Sequence, residues 1–239
     1  MLVLSKLTFL MLTPSFLKHN FSITVSTGVD LHKRIYGGQK CPDTERLYHV
    51  KLMATNETHE TLCGGSLIHE QWILTAAHCW EPGWFKPVKQ VNAAGEDGYH
   101  PGQGSVEENE AAPVVHQQDD IILVAGLGGY RVNANGHTLD EKPPHLLCGH
   151  MHVVNCTPTK NFKCYSNKLN VPYNNRLCLQ EHGYNIDTRK GDSGGGVIYN
   201  NMIYGVISSG FDRVCTGPAV TVTVCSYMTW INQEINRKK

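Results

Sequence analysis

Ser193 stands in a glycine-rich segment, residues 190–196 (KGDSGGG), whose composition suits nucleophilic chemistry. Glycine loses the most backbone freedom on folding, so ordering such a segment is costly. A serine hydroxyl is a weak nucleophile at neutral pH, and it needs a histidine to take its proton and an acid to orient that histidine. The acyl intermediate also needs backbone N–H donors for its oxyanion, and Gly191 and Ser193 are the candidate donors.

A histidine and an acid that suit these two roles lie elsewhere in the chain. His78 in LTAAHCW lies at the end of an apolar strand and beside Cys79, and Asp120 in QQDDIILV directly precedes an apolar run. We assign no role to the neighbouring Asp119. Taken alone, His78 is more typical of a structural histidine, Asp120 of a strand cap and Ser193 of a turn. Only their combination with the flanking segments favours a Ser-His-Asp triad.

The elements that must position these residues are mostly short strands. Apolar runs alternate with turns and predict strands at 48–53, 65–68, 72–75, 121–124, 151–154, 195–199, 202–208 and 219–224. Asn200 and Asn201 form the predicted tip of a hairpin, because asparagine tolerates a positive φ. Residues 95–113 predict an exposed loop, and only 226–237 have helical spacing. The pattern predicts an all-β barrel or sandwich.

Composition and charge narrow the class of protein. The 239 residues suit one large domain or two small ones, and 21 Lys and Arg balance 21 Asp and Glu, so nothing points to nucleic acid. No apolar run is long enough to predict a membrane span. Nine cysteines without a C-x-x-C pair favour disulfides, and three N-x-S/T sequons fit a secreted protein.

Five segments occur in the order found in one known family. IYGG, CGGSLIHEQWILTAAHC, DDIILV, KGDSGGG and the tail VCSYMTWI resemble the trypsin/chymotrypsin family of secreted serine endopeptidases from Ile35 onward. The resemblance implies two packed six-stranded antiparallel β-barrels with a C-terminal helix. It implies that Ser193 is the nucleophile, His78 the general base and Asp120 the buried acid, with Gly191 and Ser193 N–H groups forming the oxyanion hole. It implies no metal or other cofactor.

The resemblance also implies a zymogen. A trypsin-like enzyme would cut after Arg34, and the freed amine of Ile35 would pair with the carboxylate of Asp192 and order the oxyanion loop. We therefore expect a signal peptide over 1–17, an activation peptide over 18–34 and a protease domain over 35–239. The expected product is a secreted, extracellular monomer whose partners are protein or peptide substrates, protease inhibitors and the activating enzyme, with no nucleic acid and no membrane.

Asp187, six residues before Ser193, takes the family's position at the base of the specificity pocket. A carboxylate there selects Arg or Lys, because a cationic side chain compensates a buried charge. Ser208 and Gly210 take the positions of the substrate-binding wall. The resemblance therefore implies cleavage after Arg or Lys, unless Asp187 lies on a rearranged loop.

Several positions depart from the family around this pocket. Arg189 replaces a cysteine that would bridge to Cys215, Ser209 replaces a tryptophan, and Ala219 replaces a glycine. Arg189 and Lys190 are also placed to neutralise the pocket carboxylate. A weakened or reshaped pocket stays an open alternative, and so does a catalytically weak or inactive protease-fold binding protein.

The resemblance implies three disulfides. They are Cys63–Cys79, Cys164–Cys178 and Cys41–Cys148, and they leave Cys156, Cys215 and Cys225 unassigned. His150 and His152 between Cys148 and Cys156 have a spacing that a metal site uses, but solvated or core histidines are the favoured interpretation.

Overall fold

The computed structural model describes a short N-terminal segment and most of the chain after Arg34. The described residues are 2–6, 35–43, 45–55, 60–69, 71–79, 91–92, 118–129, 131–137, 139, 141, 143–159, 173–183, 185–211 and 213–237. Arg34, Cys164 and the loop predicted at 95–113 lie outside them, as do most of the predicted signal and activation peptides. No helix in the described part of the chain is both long and apolar enough to cross a membrane.

The chain is mostly β-structure with one C-terminal α-helix. The strands are β1 (Leu2–Lys6), β2 (Gln39–Lys40), β3 (His49–Thr55), β4 (Glu60–His69), β5 (Trp72–Ala76), β6 (Val91–Asn92), β7 (Ile121–Gly126), β8 (Leu147–Val154), β9 (Arg176–Gln180), β10 (Gly196–Tyr199), β11 (Met202–Ser209) and β12 (Ala219–Thr223), and the helix is α1 (Met228–Ile235). Each predicted strand is present. The helix begins later than predicted because Cys225–Tyr227 form a 3₁₀ turn.

The second half of the molecule is a closed antiparallel barrel. Its strand order is β8-β7-β10-β11-β12-β9, the β8–β9 pairing closes it, and β2 adds to β8 from outside. The tip of the β10–β11 hairpin has φ of 47° at Asn200 and 61° at Asn201, as predicted. This six-stranded barrel confirms one of the two that the resemblance implied.

The first half is an open five-stranded sheet within the described residues. Its order is β1-β5-β4-β3-β6, and the pairing of β1 with β5 runs from Leu2 opposite Ala76 to Lys6 opposite Trp72. The second six-stranded barrel of the prediction is therefore not seen here. β7, the strand that follows the predicted acid Asp120, lies in the second barrel between β8 and β10.

Two apolar clusters stabilise this arrangement. One fills the second barrel with side chains from β7, β8, β9, β10 and β11, and Ile35 packs into it. The other joins the two halves: Leu2 and Leu74 from the first sheet pack with Val206 and Val222 from the barrel and with Ile231 from α1. Burial of this apolar surface holds the two halves together.

Three disulfides link the described elements. Cys41–Cys148 ties the segment after β2 to β8, and Cys63–Cys79 ties β4 to the turn after β5, both as the resemblance implied. The third prediction is wrong, because Cys178 on β9 bonds to Cys156 rather than to Cys164. Cys156 follows β8, and β8 pairs with β9, so register brings these two sulfurs together.

Candidate active site

Ser193 lies in a tight loop that enters β10. Its carbonyl accepts a 2.7 Å hydrogen bond from Gly64 N–H, and its Oγ donates to the Ser208 carbonyl at 3.4 Å. Gly191 and Gly194 have φ of +103° and +88°, which side chains rarely tolerate. A Cβ on Gly194 would lie 2.1 Å from the Gly64 oxygen. The glycines around Ser193 are thus required by the close approach of β4.

Asp192 anchors the same loop from inside. Its carboxylate is fully buried and accepts 2.7 Å hydrogen bonds from the N–H groups of Gly128 and Arg189. A Cβ on Gly126 would lie 1.9 Å from Asp192 Oδ1, so this end of β7 must carry glycine. Burial raises the pKa of Asp192 to about 7 despite these donors. Gly128 belongs to the GLGG segment that begins at the last residue of β7, and the sequence analysis did not assign that segment to the site.

His78 reaches this place from the first sheet. It lies in the 3₁₀ turn Ala77–Cys79 after β5, and the Cys63–Cys79 disulfide fastens that turn to β4. Cys79 Sγ lies 3.5 Å from the Ser193 carbonyl oxygen, so His78 and Ser193 flank the same disulfide. Burial lowers the pKa of His78. The side chain is therefore neutral at pH 7 and able to accept a proton.

Cys63, His78 and Cys79 have sulfur and nitrogen atoms close enough together to suggest a metal site. Both sulfurs are committed to the Cys63–Cys79 disulfide, so they offer no thiolate to a metal. The cluster is better explained as the support of His78.

Asp120 lies apart from the Asp192 end of β7, and its role as the orienting acid stays a prediction. It precedes β7, and its carbonyl accepts a hydrogen bond from Val153 N–H, at the far end of the barrel. Asp192 lies at the opposite end of β7, beside Gly126. Gly126 lies six residues along the extended strand from Asp120, which places the two roughly 20 Å apart.

The residues of the predicted specificity pocket do lie together. Asp187 is 2% exposed, and its Oδ2 accepts a 2.8 Å hydrogen bond from Cys215 N–H and contacts Arg189 Nη1 at 3.1 Å. Burial is the main influence on the pKa of Asp187 and raises it. Ser208 is buried on β11, and Gly210, just beyond that strand, approaches Thr188.

His49 is a buried group that the sequence analysis did not single out. It is 2% exposed on β3, neither ring nitrogen has a hydrogen-bond partner, and a Cβ on Gly64 would lie 3.1 Å from its Cε1. Desolvation lowers its pKa to about 4. It therefore packs as a neutral side chain against β4, the strand whose Gly64 N–H donates to the Ser193 carbonyl.

Known proteins resemble this chain over the region just described. The family model described as Trypsin matches residues 35–126 and 104–231. The chain belongs to the trypsin family. Its members include rat Trypsin V-A, 28% identical over 86% of this chain and 91% of the relative, and human Kallikrein-11, 27% identical over 88% and 84%. The family and these relatives indicate a serine-type endopeptidase, a hydrolase.

A solved structure supports the fold. Neuropsin, a serine protease expressed in the limbic system of mouse brain, has a TM-score of 0.58 and 20% identity over 83% of this chain and 99% of the neuropsin chain. The two matches to the trypsin family overlap at residues 104–126, so the segment that holds Asp120 and β7 resembles two parts of the family. In the structure β7 lies in the second barrel, between β8 and β10.

Proposed function

We propose that this chain is a secreted serine endopeptidase in which Ser193 attacks the substrate carbonyl and His78 accepts the hydroxyl proton. The observation that carries the proposal is the meeting of Ser193 and His78 at the Cys63–Cys79 disulfide. His78 would then return the proton to the leaving amine, and water would repeat the cycle to release the acyl group. The N–H groups of Gly191 and Ser193 would stabilise the oxyanion.

Activation would follow cleavage after Arg34 by a trypsin-like enzyme. The pKa of Asp192, raised to about 7, indicates a buried carboxyl whose charge lacks full compensation. Ile35 is 1% exposed and packs in the barrel cluster that also contains Val124 of β7, the strand whose end adjoins Asp192. A new amine on Ile35 would supply the missing cation and order the Ser193 loop. Inhibitors and protein substrates would bind the activated monomer.

A second candidate is a catalytically weak or inactive binding protein of the same fold. The position of Asp120 favours it, because a histidine without its orienting acid is a poor base. In this family, replacing that acid lowers kcat about 10⁴-fold. The preference for Arg or Lys stays a prediction, and the contact between Asp187 and Arg189 argues against it.

Labelling with a fluorophosphonate separates the two candidates. The chain cut after Arg34 would be compared with the uncut chain and with Ser193→Ala, and the rate of covalent labelling measured by mass spectrometry. We expect labelling only of the cut chain and only at Ser193. Cut, folded chain that incorporates no label would support the binding protein.

A further inference from the structure

Arg189 and Asp187 form an ion pair inside the predicted specificity pocket. The Nη1–Oδ2 distance is 3.1 Å, and the two side chains are only 5% and 3% exposed. At this depth water compensates little of either charge, so the two side chains stabilise each other. The carboxylate that would bind a substrate cation already has a cation of the same chain.

Cys215 has a free thiol, because Arg189 replaces the cysteine that would bridge to it in this family. The Cys215 N–H donates a hydrogen bond to Asp187 Oδ2. Burial is the main cause that raises the pKa of its thiol to about 11. Arg189 holds the position from which a cysteine of this family would reach Cys215, so the pocket is braced by an ion pair instead of a disulfide.

Gly210 and Thr188 face each other beside this ion pair. A Cβ on Gly210 would be 3.4 Å from the carbonyl oxygen of Thr188, which is ordinary van der Waals contact. A side chain at position 210 would therefore fill the space between these two residues.

A cationic substrate would therefore meet a carboxylate whose charge Arg189 already compensates. To reach Asp187 it would have to displace Arg189, and the displaced guanidinium would lose its buried partner. Breaking a buried pair in this way is strongly unfavourable. A neutral side chain imposes no such cost.

We propose that Arg189 determines specificity by acting as the resident cation of the pocket, so that the enzyme rejects substrate Arg and Lys and accepts neutral side chains. The proposal rests on the proposed endopeptidase function. Asp187 by itself would attract cations into this pocket, and Arg189 excludes them.

Benzamidine, a planar cation, tests the proposal without requiring catalysis. Its binding would be measured by calorimetry on the folded chain cut after Arg34, for wild type, Arg189→Ser, Arg189→Lys and the exposed-surface control Arg131→Ala. We expect at least 100-fold tighter binding by Arg189→Ser than by wild type. Arg189→Lys keeps the cation and Arg131→Ala leaves the pocket unchanged, so both should behave as wild type.

Two outcomes would overturn the proposal. Wild type that binds benzamidine as tightly as Arg189→Ser would show that Arg189 does not exclude cations. Weak binding by both would show that something other than Arg189 excludes them. Arg189→Cys, which offers Cys215 a partner, replaces the serine variant if that variant fails to fold. Fluorophosphonate labelling of the same samples reports separately on Ser193.

Discussion

The second barrel is closed by the pairing of β8 with β9, whereas the first sheet stays open between β1 and β6 in the described part of the chain. The barrel takes all six of its strands from residues 121–223. The sheet takes its edge strand, β1, from residues 2–6, far from its other strands in sequence. Because β1 lies within the segment predicted as a signal peptide, 1–17, this sheet is that of the uncut chain, whereas the barrel is complete without that segment.

Packing explains why the barrel, and not the sheet, obtained β7. Ile122 and Val124 are fully buried in the barrel cluster, and the glycines that follow them accommodate Asp192. A strand placed in the sheet would give up these contacts. The contacts that close the barrel and anchor the Ser193 loop therefore favour β7 in the barrel over β7 in the first sheet, where Asp120 would lie nearer to His78.

The largest expected effect concerns the disulfide that braces the closed barrel. Loss of Cys156–Cys178, with a sequence separation of 22, should lower the free energy of unfolding by about 3 kcal/mol, because the unfolded chain regains the entropy of an open loop. Urea unfolding of Cys156→Ser and Cys178→Ser measures it. The two variants should lose similar stability while Cys164→Ser retains it. Equal losses in Cys178→Ser and Cys164→Ser, with Cys156→Ser unaffected, would restore the original pairing.

A smaller effect is expected from pH in the open sheet. The folded pKa of His49, about 4, lies below its ordinary 6.5, so the unfolded state binds the proton more tightly. Stability is retained above pH 6.5 and is lost as pH falls toward 4, by about 2 kcal/mol between pH 7 and pH 5. Urea unfolding at several pH values measures this loss. His49→Gln should flatten the pH dependence, and the exposed His69→Gln on β4 should not. An unchanged slope in His49→Gln would mean that His49 is not buried as a neutral group.

The smallest effect is expected at the residue that the resemblance named as the acid. Asp120 lies roughly 20 Å from the Asp192 end of β7, so Asp120→Asn should change the rate of fluorophosphonate labelling less than about twofold. Ser193→Ala, which removes the labelled atom, sets the baseline. A drop of about 10⁴-fold would instead identify Asp120 as the orienting acid and place β7 in the first sheet.

The sequence alone was sufficient for the individual strands, the C-terminal helix and the Ser193 loop. Alternating apolar runs and an Asn200–Asn201 turn are local signals. The glycines beside the serine at residues 190–196 indicate a backbone with positive φ, as the structure has at Gly191 and Gly194. The family resemblance supplied the Cys63–Cys79 and Cys41–Cys148 pairs, which the structure contains.

Tertiary structure decided where those elements went. An apolar strand such as β7 satisfies the local rules of either half, and only its long-range contacts with β8 and β10 choose between them. The same holds for Cys178, whose partner depends on register, and for Arg189, whose charge matters because folding buries it against Asp187. Local sequence determines which element a segment can form, whereas the strand, sulfur or charge with which that element pairs depends on packing across the whole chain.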